Sequence, residues 1–554
     1  MDFLEKDFGI EIGGILGGSR EPSEPGLCNF INTLHSAILF RKHICGTGNI
    51  IIHSDVDVDG VGSGYILNRF LSNVGVNHRV GNIINSTKVH GIMHKHIDWF
   101  NSHGGGLLVI LDSSSNSLDI IKRAKGDVIV IDHHEVLHNE LTGDTDGGRY
   151  VIVNNTISNK DITIQLYLTD KIDTYDSNVD MSCGLVVYEW LRVFERLVGL
   201  PDIVERLKLH QWAALTLFTD VISTSNLRNL YYIDKTVHAG MGEYEGTLNI
   251  LLDKLSYTKV LDKSFINFTL APRVNKAIRA GASKIVLHTI LKEPEKVVEL
   301  DVYSPIQEDI IKRVIDVDSN TGEIRTNGIV ANGDTYIIAD ITDIGISKDY
   351  TGVIASKLMN EYDKDVVVCV RGHGNAFSGS VRGLSKGVDY RGIFSNEFSL
   401  YAEGHSNSFG VTGTIDKIED ALKYIGNIRK NGDTKLNRRI MLVEPLRLEY
   451  SDDIPRISME RFIREQGLLK MALANSYLIS DESYELWVEN FGVFTYRQRG
   501  KLYIYNINGL ECKSFELLNS RYISIYVEYS NQINIFARNV NTTGNLLDKG
   551  KGGK

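Results

Sequence analysis

Residues 49–60, Asn-Ile-Ile-Ile-His-Ser-Asp-Val-Asp-Val-Asp-Gly, decide how the chain is read. An apolar run from Ile50 to Ile52 stops at His53, and three carboxylates then alternate at Asp55, Asp57 and Asp59 before Gly60. Packing like charges this closely is costly unless a cation or hydrogen-bond donors compensate them. A solvated turn is the plain alternative. The pattern recurs downstream: LLVIL at 107–111 stops at Asp112, and DVIVI at 127–131 stops at Asp132-His133-His134. A further run, YVIVN, occupies 150–154. Between the first two runs, Ile66, Leu67, Phe70, Leu71 and Val74 recur at helical spacing and would lay one apolar face on a sheet. Strands alternating with helices predict an α/β fold on a mainly parallel sheet covered on both faces. Ligand sites of such sheets gather at the carboxyl ends of the strands, so these Asp and His residues should converge on one edge.

The donor types narrow the chemistry. Residues 55–60 match the start of a calcium-binding EF-hand loop, but Ile66 stands where the bidentate glutamate belongs and a strand precedes instead of a helix. Asp57-x-Asp59-Gly60 after an apolar strand also resembles the nucleophile motif of haloacid-dehalogenase-type phosphatases, a reading the segment alone leaves open. The recurrence of the pattern favours a metal centre. Asp220, at the end of a helical stretch in FTDVIST, could supply another carboxylate. Asp and His without Cys suit Mn²⁺ or Mg²⁺ better than structural zinc. So many acids at one edge suggest two divalent ions, and two-metal sites commonly activate water against phosphate esters.

Composition sets the outer limits. The 554 residues are 42% hydrophobic and 23% charged, as in ordinary globular proteins, and the length suggests three to four domains. Cys28, Cys45, Cys183, Cys369 and Cys512 are scattered and form no C-x-x-C pair, which argues against a disulfide framework or a thiolate zinc site. The formal charge of -10 would repel a polyanion, so any nucleic-acid site must gather its cations locally. No stretch approaches the roughly 18 consecutive apolar residues of a membrane helix. The opening MDFLEKDFGIEIGG places acids where a signal peptide would carry basic residues, so a cytoplasmic protein without membrane contact is expected.

Along the chain, the pattern divides into an N-terminal arm (1–46), an α/β catalytic domain with trailing helices (47–300), a connector (301–325), a smaller α/β domain (326–430) and a β-rich C-terminal domain (436–554). Helices are predicted over 181–199, 203–219, 352–362 and 415–426, and strands over 335–341 and 365–371. Residues 428–439 read as a charged hinge, and the alternation in the last region reads as antiparallel.

Four motifs in order, HSDVDVDG at 53–60, LDSSSN at 111–116, IDHH at 131–134 and FTDV at 218–221, resemble the DHH phosphoesterase superfamily. LAPRVNKAIRAGASK at 270–284, FSGSVRG at 377–383 and EGHSNSFG at 403–410 are similar to segments of the RecJ single-strand exonucleases. The resemblance spans residues 47 to about 426. It implies a DHH catalytic domain followed by a DHH-associated substrate domain, with an oligonucleotide-binding barrel expected at the C-terminal end by position. It also implies that Asp57, Asp59, Asp112, His133 and Asp220 hold two ions, Mn²⁺ or Mg²⁺, with Asp112 bridging. Either Asp55 or His53 would complete the first ion's shell. By the same resemblance Asp132 belongs to the catalytic motif, and His134 would hold or protonate the phosphate. His405 would reach the scissile phosphate, Ser380 and Arg382 would grip a terminal 5′-phosphate, and Arg273 and Arg279 would line the strand path. A guanidinium suits such a grip because it bonds two phosphate oxygens at once. A surface salt bridge is the alternative for Arg273 and Arg279.

The implied activity is 5′-to-3′ hydrolysis of single-stranded DNA to mononucleotides, with RNA left open as a substrate. Repair and recombination would be the setting, and a single-strand-binding protein or other replication and repair proteins the partners. The alternatives are a phosphodiesterase of short oligoribonucleotides or cyclic dinucleotides, and a non-catalytic scaffold. Departures bear on the substrate: the second motif reads Asp112-Ser113-Ser114-Ser115, Ile278 replaces a family glycine, and Asn407 and Phe409 replace alanines. The arginine usual before that family's E-G-Y-G stretch is missing, with Thr87 and Lys88 nearby. These suggest a divergent member, as from a phage or mobile element. Among weaker features, His90, His94 and His96 lie on a polar stretch and are expected in solvent. The aromatics at 486–528 would either stack bases or fill a core.

Overall fold

The computed structural model describes residues 30–134, 149–154, 181–220, 227–237, 242–256, 265–317, 324–372, 374–384 and 388–431. In the C-terminal region it describes 438–443, 456–464, 483–489, 494–499, 502–507, 510–520, 522–529 and 533–539, with single positions 136, 222, 239 and 261 besides.

Short runs of Ile, Val and Leu, apolar on both faces, form four strands of the first sheet because each is buried above and below, while the edge strand at 80–84, with Gly81 and Asn82, is largely half-exposed. Its strands are β1 (Ile50–Ser54), β2 (Val80–Ile84), β3 (Leu107–Leu111), β4 (Asp127–Asp132) and β5 (Tyr150–Asn154), in the order β2-β1-β3-β4-β5. Every pairing is parallel, and the register sets Ser54 opposite Leu111 and Leu111 opposite Ile131. Asp55, Asp112 and Asp132 therefore leave three adjacent strands at one level. Burying each Ile, Val or Leu of this sheet contributes roughly 1.5–3 kcal/mol, which holds that level fixed.

Helices cover the sheet. α1 (Phe30–Cys45), lying within the segment read as an arm, buries Phe40 against Trp190 and Phe194, with ring centroids 4.8 and 5.0 Å away. α2 (Val58–Asn73) follows β1 directly and buries Ile66, Leu67, Phe70 and Leu71, the predicted apolar face. α3 (His94–Ser102) precedes β3. α4 (Cys183–Val198) stops at Gly199, whose φ of 70° suits a residue without Cβ, and α5 (His210–Thr219) is buried along its length. α6 (Ala271–Arg279) and α7 (Ser283–Lys292) lead out of this domain.

A short hairpin, β6 (Ile315–Val317) with β7 (Ile324–Thr326), precedes a second sheet. That sheet comprises β8 (Ile329–Asn332), β9 (Tyr336–Asp340), β10 (Asp365–Arg371), β11 (Phe377–Arg382), β12 (Tyr401–His405) and β13 (Ser408–Gly413), ordered β12-β13-β11-β10-β9-β8. α8 (Thr351–Tyr362) packs Ile354 and Leu358 on the face of Val366 and Val368. α9 (Ile415–Asn431) packs Ile418 and Leu422 on the opposite face, against Val367 and Val381. Alternate residues of β10 thus serve opposite layers, as the pleat requires.

The C-terminal region forms an eight-stranded sheet: β14 (Arg438–Val443), β15 (Arg456–Ile457), β16 (Ser483–Glu489), β17 (Tyr496–Arg499), β18 (Leu502–Ile507), β19 (Leu510–Ser514), β20 (Tyr522–Tyr529) and β21 (Ile533–Asn539). The strands of the alternating stretches pair antiparallel, as predicted: β16 with β20, β17 with β18, β18 with β19 and β20 with β21. The sheet as a whole is mixed, because β14 runs parallel to β15 and β16, and β19 meets β21 in parallel. Residues 428–439 are not a hinge throughout, since α9 runs to Asn431 and Arg438 opens β14; residues 432–437 lie outside the described residues.

Candidate active site

Each strand end delivers its carboxylate by a local device. Asp57 caps α2, its Oδ1 accepting the Gly60 amide at 2.9 Å, and a Cβ on Gly60 would stand 2.6 Å from the Asp55 carbonyl. Glycine is needed there for the chain to turn from strand into helix. Asp59 is buried in the first turn of α2 and accepts the amides of Cys183 and Gly184 at 2.7 and 2.8 Å, so the amino end of α4 anchors it. Asp112 has a φ of 64°, a strained conformation for a residue with Cβ, fixed by its amide donating to the Ile131 carbonyl. Asp220 caps the carboxyl end of α5.

These groups meet around His133. Its Nε2 lies 3.3 Å from Asp112 and Asp220 and 3.7 Å from Asp59. Asp132 is turned to a different task. Its Oδ1 accepts the His133 and His134 amides and the His134 Nδ1 at 2.8 Å, and its Oδ2 accepts the Ser115 amide. It positions the His134 imidazole and the His133 backbone. Burial opposes charge on this pair, yet the Asp132 carboxylate outweighs it and holds His134 up at about 10, while His134 keeps Asp132 well below the usual carboxylate range.

The opposite holds for the other acids. Burial, with Asp220 and Asp57 alongside, pushes Asp59 well above the carboxylate range, and burial beside Asp59 and Asp57 does the same to Asp112. Asp112 Oδ1 is buried and accepts no hydrogen bond. An orphaned carboxylate oxygen among mutually repelling acids is what a divalent cation would satisfy, and the ligand atoms offered by Asp59, His133 and Asp220, or by Asp112, His133 and His134, lie within 4.8 Å of one another. A buried thiol nearby, Cys183, donates to the Ile131 carbonyl.

A third group joins Asp55 and Asp57 to His90. His90 is solvent-exposed, as expected, but it does not lack an acid: its Nδ1 lies 2.5 Å from Asp55 Oδ2, because the chain after β2 folds back over the end of β1. His96, expected in solvent with it, is buried instead. The Asp55 charge raises the His90 pKa against the cost of desolvation. His53, the other candidate for this shell, is buried and turned to the far side, its ring 5.1 Å from that of His96, and its nitrogens have no hydrogen-bond partner. Geometry thus groups Asp55, and not His53, with Asp57.

Opposite the acids stands a cluster of cations. Ser380 Oγ lies 2.9 Å from Thr351 Oγ1 at the start of α8, and Arg382 Nε donates to Ser356. A Cβ on Gly352 would sit 2.9 Å from an Arg382 nitrogen and 3.4 Å from Ser380 Oγ, so this glycine leaves room for both side chains at the helix's amino end. Burial, then the neighbouring Arg279, pushes Arg382 down to about 10; burial also lowers Arg279, which donates to Gln307. Lys88 completes the set, pushed down to about 8 by burial and by Arg279. It also feels Asp57 and Asp55, so it stands between the two clusters. Sequence reading named Lys88 only as a neighbour of a missing arginine; its role depends on a contact between segments far apart in the chain. Among the described residues, none of Lys88, Arg279 and Arg382 forms an ion pair.

Arg273 does not join them. Its Nε pairs with Asp301 at 2.7 Å and its Nη1 donates to the Thr269 carbonyl, the salt-bridge alternative given for it above. His405 is placed by its backbone alone, at the end of β12.

Residues 49–190 match the family model described as the DHH family, N-terminal domain. The chain is 24% identical over 402 residues to a putative SPbeta prophage-derived single-strand DNA-specific exonuclease, YorK, of Bacillus subtilis (strain 168), covering 67% of this chain and 64% of that protein. It therefore spans less than two thirds of the length of that relative. The fold is similar to that of RecJ from Thermus thermophilus in complex with Mn²⁺, with a TM-score of 0.62 at 16% identity over 95% of this chain and 73% of that one. The Mg²⁺ complex of the same protein gives a TM-score of 0.58 at 15% identity, over 94% and 71%. Among the described residues no helix is long and apolar enough to cross a membrane.

Proposed function

Residues 49–190 belong to the DHH family, and on that premise we propose that the chain is a metal-dependent exonuclease that hydrolyses single-stranded DNA from the 5′ end to 5′-mononucleotides. The observation that carries this reading is the place of Lys88, between a buried acid cluster short of cations and a half-buried cation cluster short of anions. A phosphodiester next to a terminal phosphate fits both.

Asp59, Asp112, His133 and Asp220 would hold one divalent ion, and Asp55 and Asp57, with Asp112 shared, a second. Bound there, Mn²⁺ or Mg²⁺ would supply Lewis-acid stabilisation of charge on phosphorus and lower the pKa of water. The protein's own groups do the rest. Asp132 fixes the His134 imidazole and favours its charged form, so His134 can donate to a phosphate oxygen. Ser380, Arg382 and Arg279, beside the amino end of α8, would bind the terminal 5′-phosphate, which favours attack at the 5′ end. Lys88 would neutralise the phosphate between them.

An aromatic stack on the C-terminal sheet supports a strand-binding role. Exposed Phe515 stacks on half-buried Phe536, and Phe536 on half-buried Tyr526, at 6.0 and 5.5 Å, with Arg538 over Tyr526. The test is digestion of one single-stranded oligomer labelled separately at each end, with Mn²⁺ or EDTA, beside a duplex. Immediate release of a mononucleotide from the 5′ label, with stepwise shortening of the 3′-labelled strand, is expected. Release from the 3′ end, or cleavage of dinucleotides alone, would contradict the proposal.

A further inference from the structure

A cleft apart from both clusters lies at the β2 edge of the first sheet, between α3 and α7. It encloses about 680 Å³, within the range of small-molecule sites. Ile83, Leu287 and Leu291 form its apolar part, and Lys95, Lys284 and Lys292 are exposed around it. No acid lines it; Glu293, close by in sequence, is paired with His288 and Lys296. Trp99, 40% exposed, adds a flat aromatic wall whose plane is fixed by His103 stacked at 4.3 Å. Ser86 offers a hydroxyl, and Asn82 an exposed amide that pairs reciprocally with Asn68 and would have to share those bonds with a ligand.

The charge is not incidental to the packing. Burial, with Lys95 and Lys284 nearby, pushes His96 at the back of the cleft down to about 4, so His96 is neutral there and the positive charge of the cleft comes from its three lysines, with no acid in its lining. A flat apolar wall, base-edge hydrogen-bonding groups and ammonium groups around one cavity match a nucleotide better than an inorganic anion, which has no use for Trp99 or the leucines.

We propose that this cleft binds a nucleotide unit, its base against Trp99 and its phosphate among Lys95, Lys284 and Lys292, at a second site apart from the metal cluster. The inference rests on these residues alone and stands whether or not the chain is an exonuclease. The cleft is also linked to the acid cluster, since His96 touches His53, two positions before Asp55.

Trp99 makes the test direct, because Trp190, Trp212 and Trp487 are at most 8% exposed. Tryptophan fluorescence of the full chain should be quenched by deoxynucleoside 5′-monophosphates, by a phosphorothioate oligomer that resists cleavage, or by both. Quenching by the monophosphate alone would identify a free nucleotide as the ligand, and by the oligomer alone a passing strand. Lys284→Glu with Lys292→Glu should weaken the response by roughly tenfold or more, and Lys284→Gln with Lys292→Gln by less. Trp99→Phe should abolish it. No quenching by either nucleotide form, quenching unaltered by the charge reversals, equal affinity for inorganic phosphate, or quenching by a Glu- and Phe-rich peptide instead of nucleotides would each overturn the proposal.

Discussion

The two sides of the candidate active site are electrostatic opposites built by the same physics. On one side Asp59 and Asp112 are buried beside other acids and pushed well above the carboxylate range; on the other, Lys88 and Arg382 are half-buried beside Arg279 and pushed down. Neither arrangement stabilises the fold, because desolvating like charges together costs free energy that hydrophobic packing around them must offset. On the function proposed here, each would receive a counter-ion. Asp132 with His134 supplies the contrast, since there the opposite charges are both present and each pKa moves toward the ionised form.

The sharpest way to break the comparison is Asp112→Asn. Cleavage should fall by roughly 10⁴-fold, as expected for a group acting as one of a unit. Metal-free protein should nevertheless melt about 2–4 °C higher, since one like charge is gone; a lower melting temperature would mean that Asp112 is structural. Next in size, Mn²⁺ at a hundredfold excess over its Kd should stabilise the unaltered protein by about 2.7 kcal/mol. That gain should vanish in Asp112→Asn and after EDTA, followed by thermal melting.

On the cationic side the effect is smaller and depends on the substrate. Arg382→Ala should raise KM for a 5′-phosphorylated strand by about 1.5–3 kcal/mol in free-energy terms, leaving a 5′-hydroxyl strand unchanged. Equal losses on both strands in a steady-state comparison would place Arg382 elsewhere on the path. Smallest of all is Arg273→Ala. It breaks a half-exposed pair with Asp301, so stability should drop by roughly 0.2–1 kcal/mol and cleavage should persist; lost cleavage would return Arg273 to the strand path.

The acidic side was legible in sequence because each residue stands at the end of an apolar run. Once the runs pair in parallel, register alone brings Asp55, Asp112 and Asp132 to one level. The cationic side was legible in part. Ser380 and Arg382 came from a motif, whereas Lys88 and Gly352 matter only through contacts between segments far apart in the chain. The acid beside His90 was missed for the same reason, since it is Asp55, 35 positions earlier. The antiparallel C-terminal strands were legible from their alternation, whereas β14, which joins them in parallel, lies in a charged stretch without that pattern.

The account stands most directly on where metal and phosphate sit together. Diffraction from crystals grown with Mn²⁺ and a 5′-phosphorylated phosphorothioate oligomer, with anomalous maps at the manganese edge, would show it. Manganese among Asp59, Asp112, His133 and Asp220, with the terminal phosphate between Lys88, Arg279 and Arg382, is the predicted result. Manganese elsewhere, or a strand whose 3′ end lies in the cationic cluster, would contradict it.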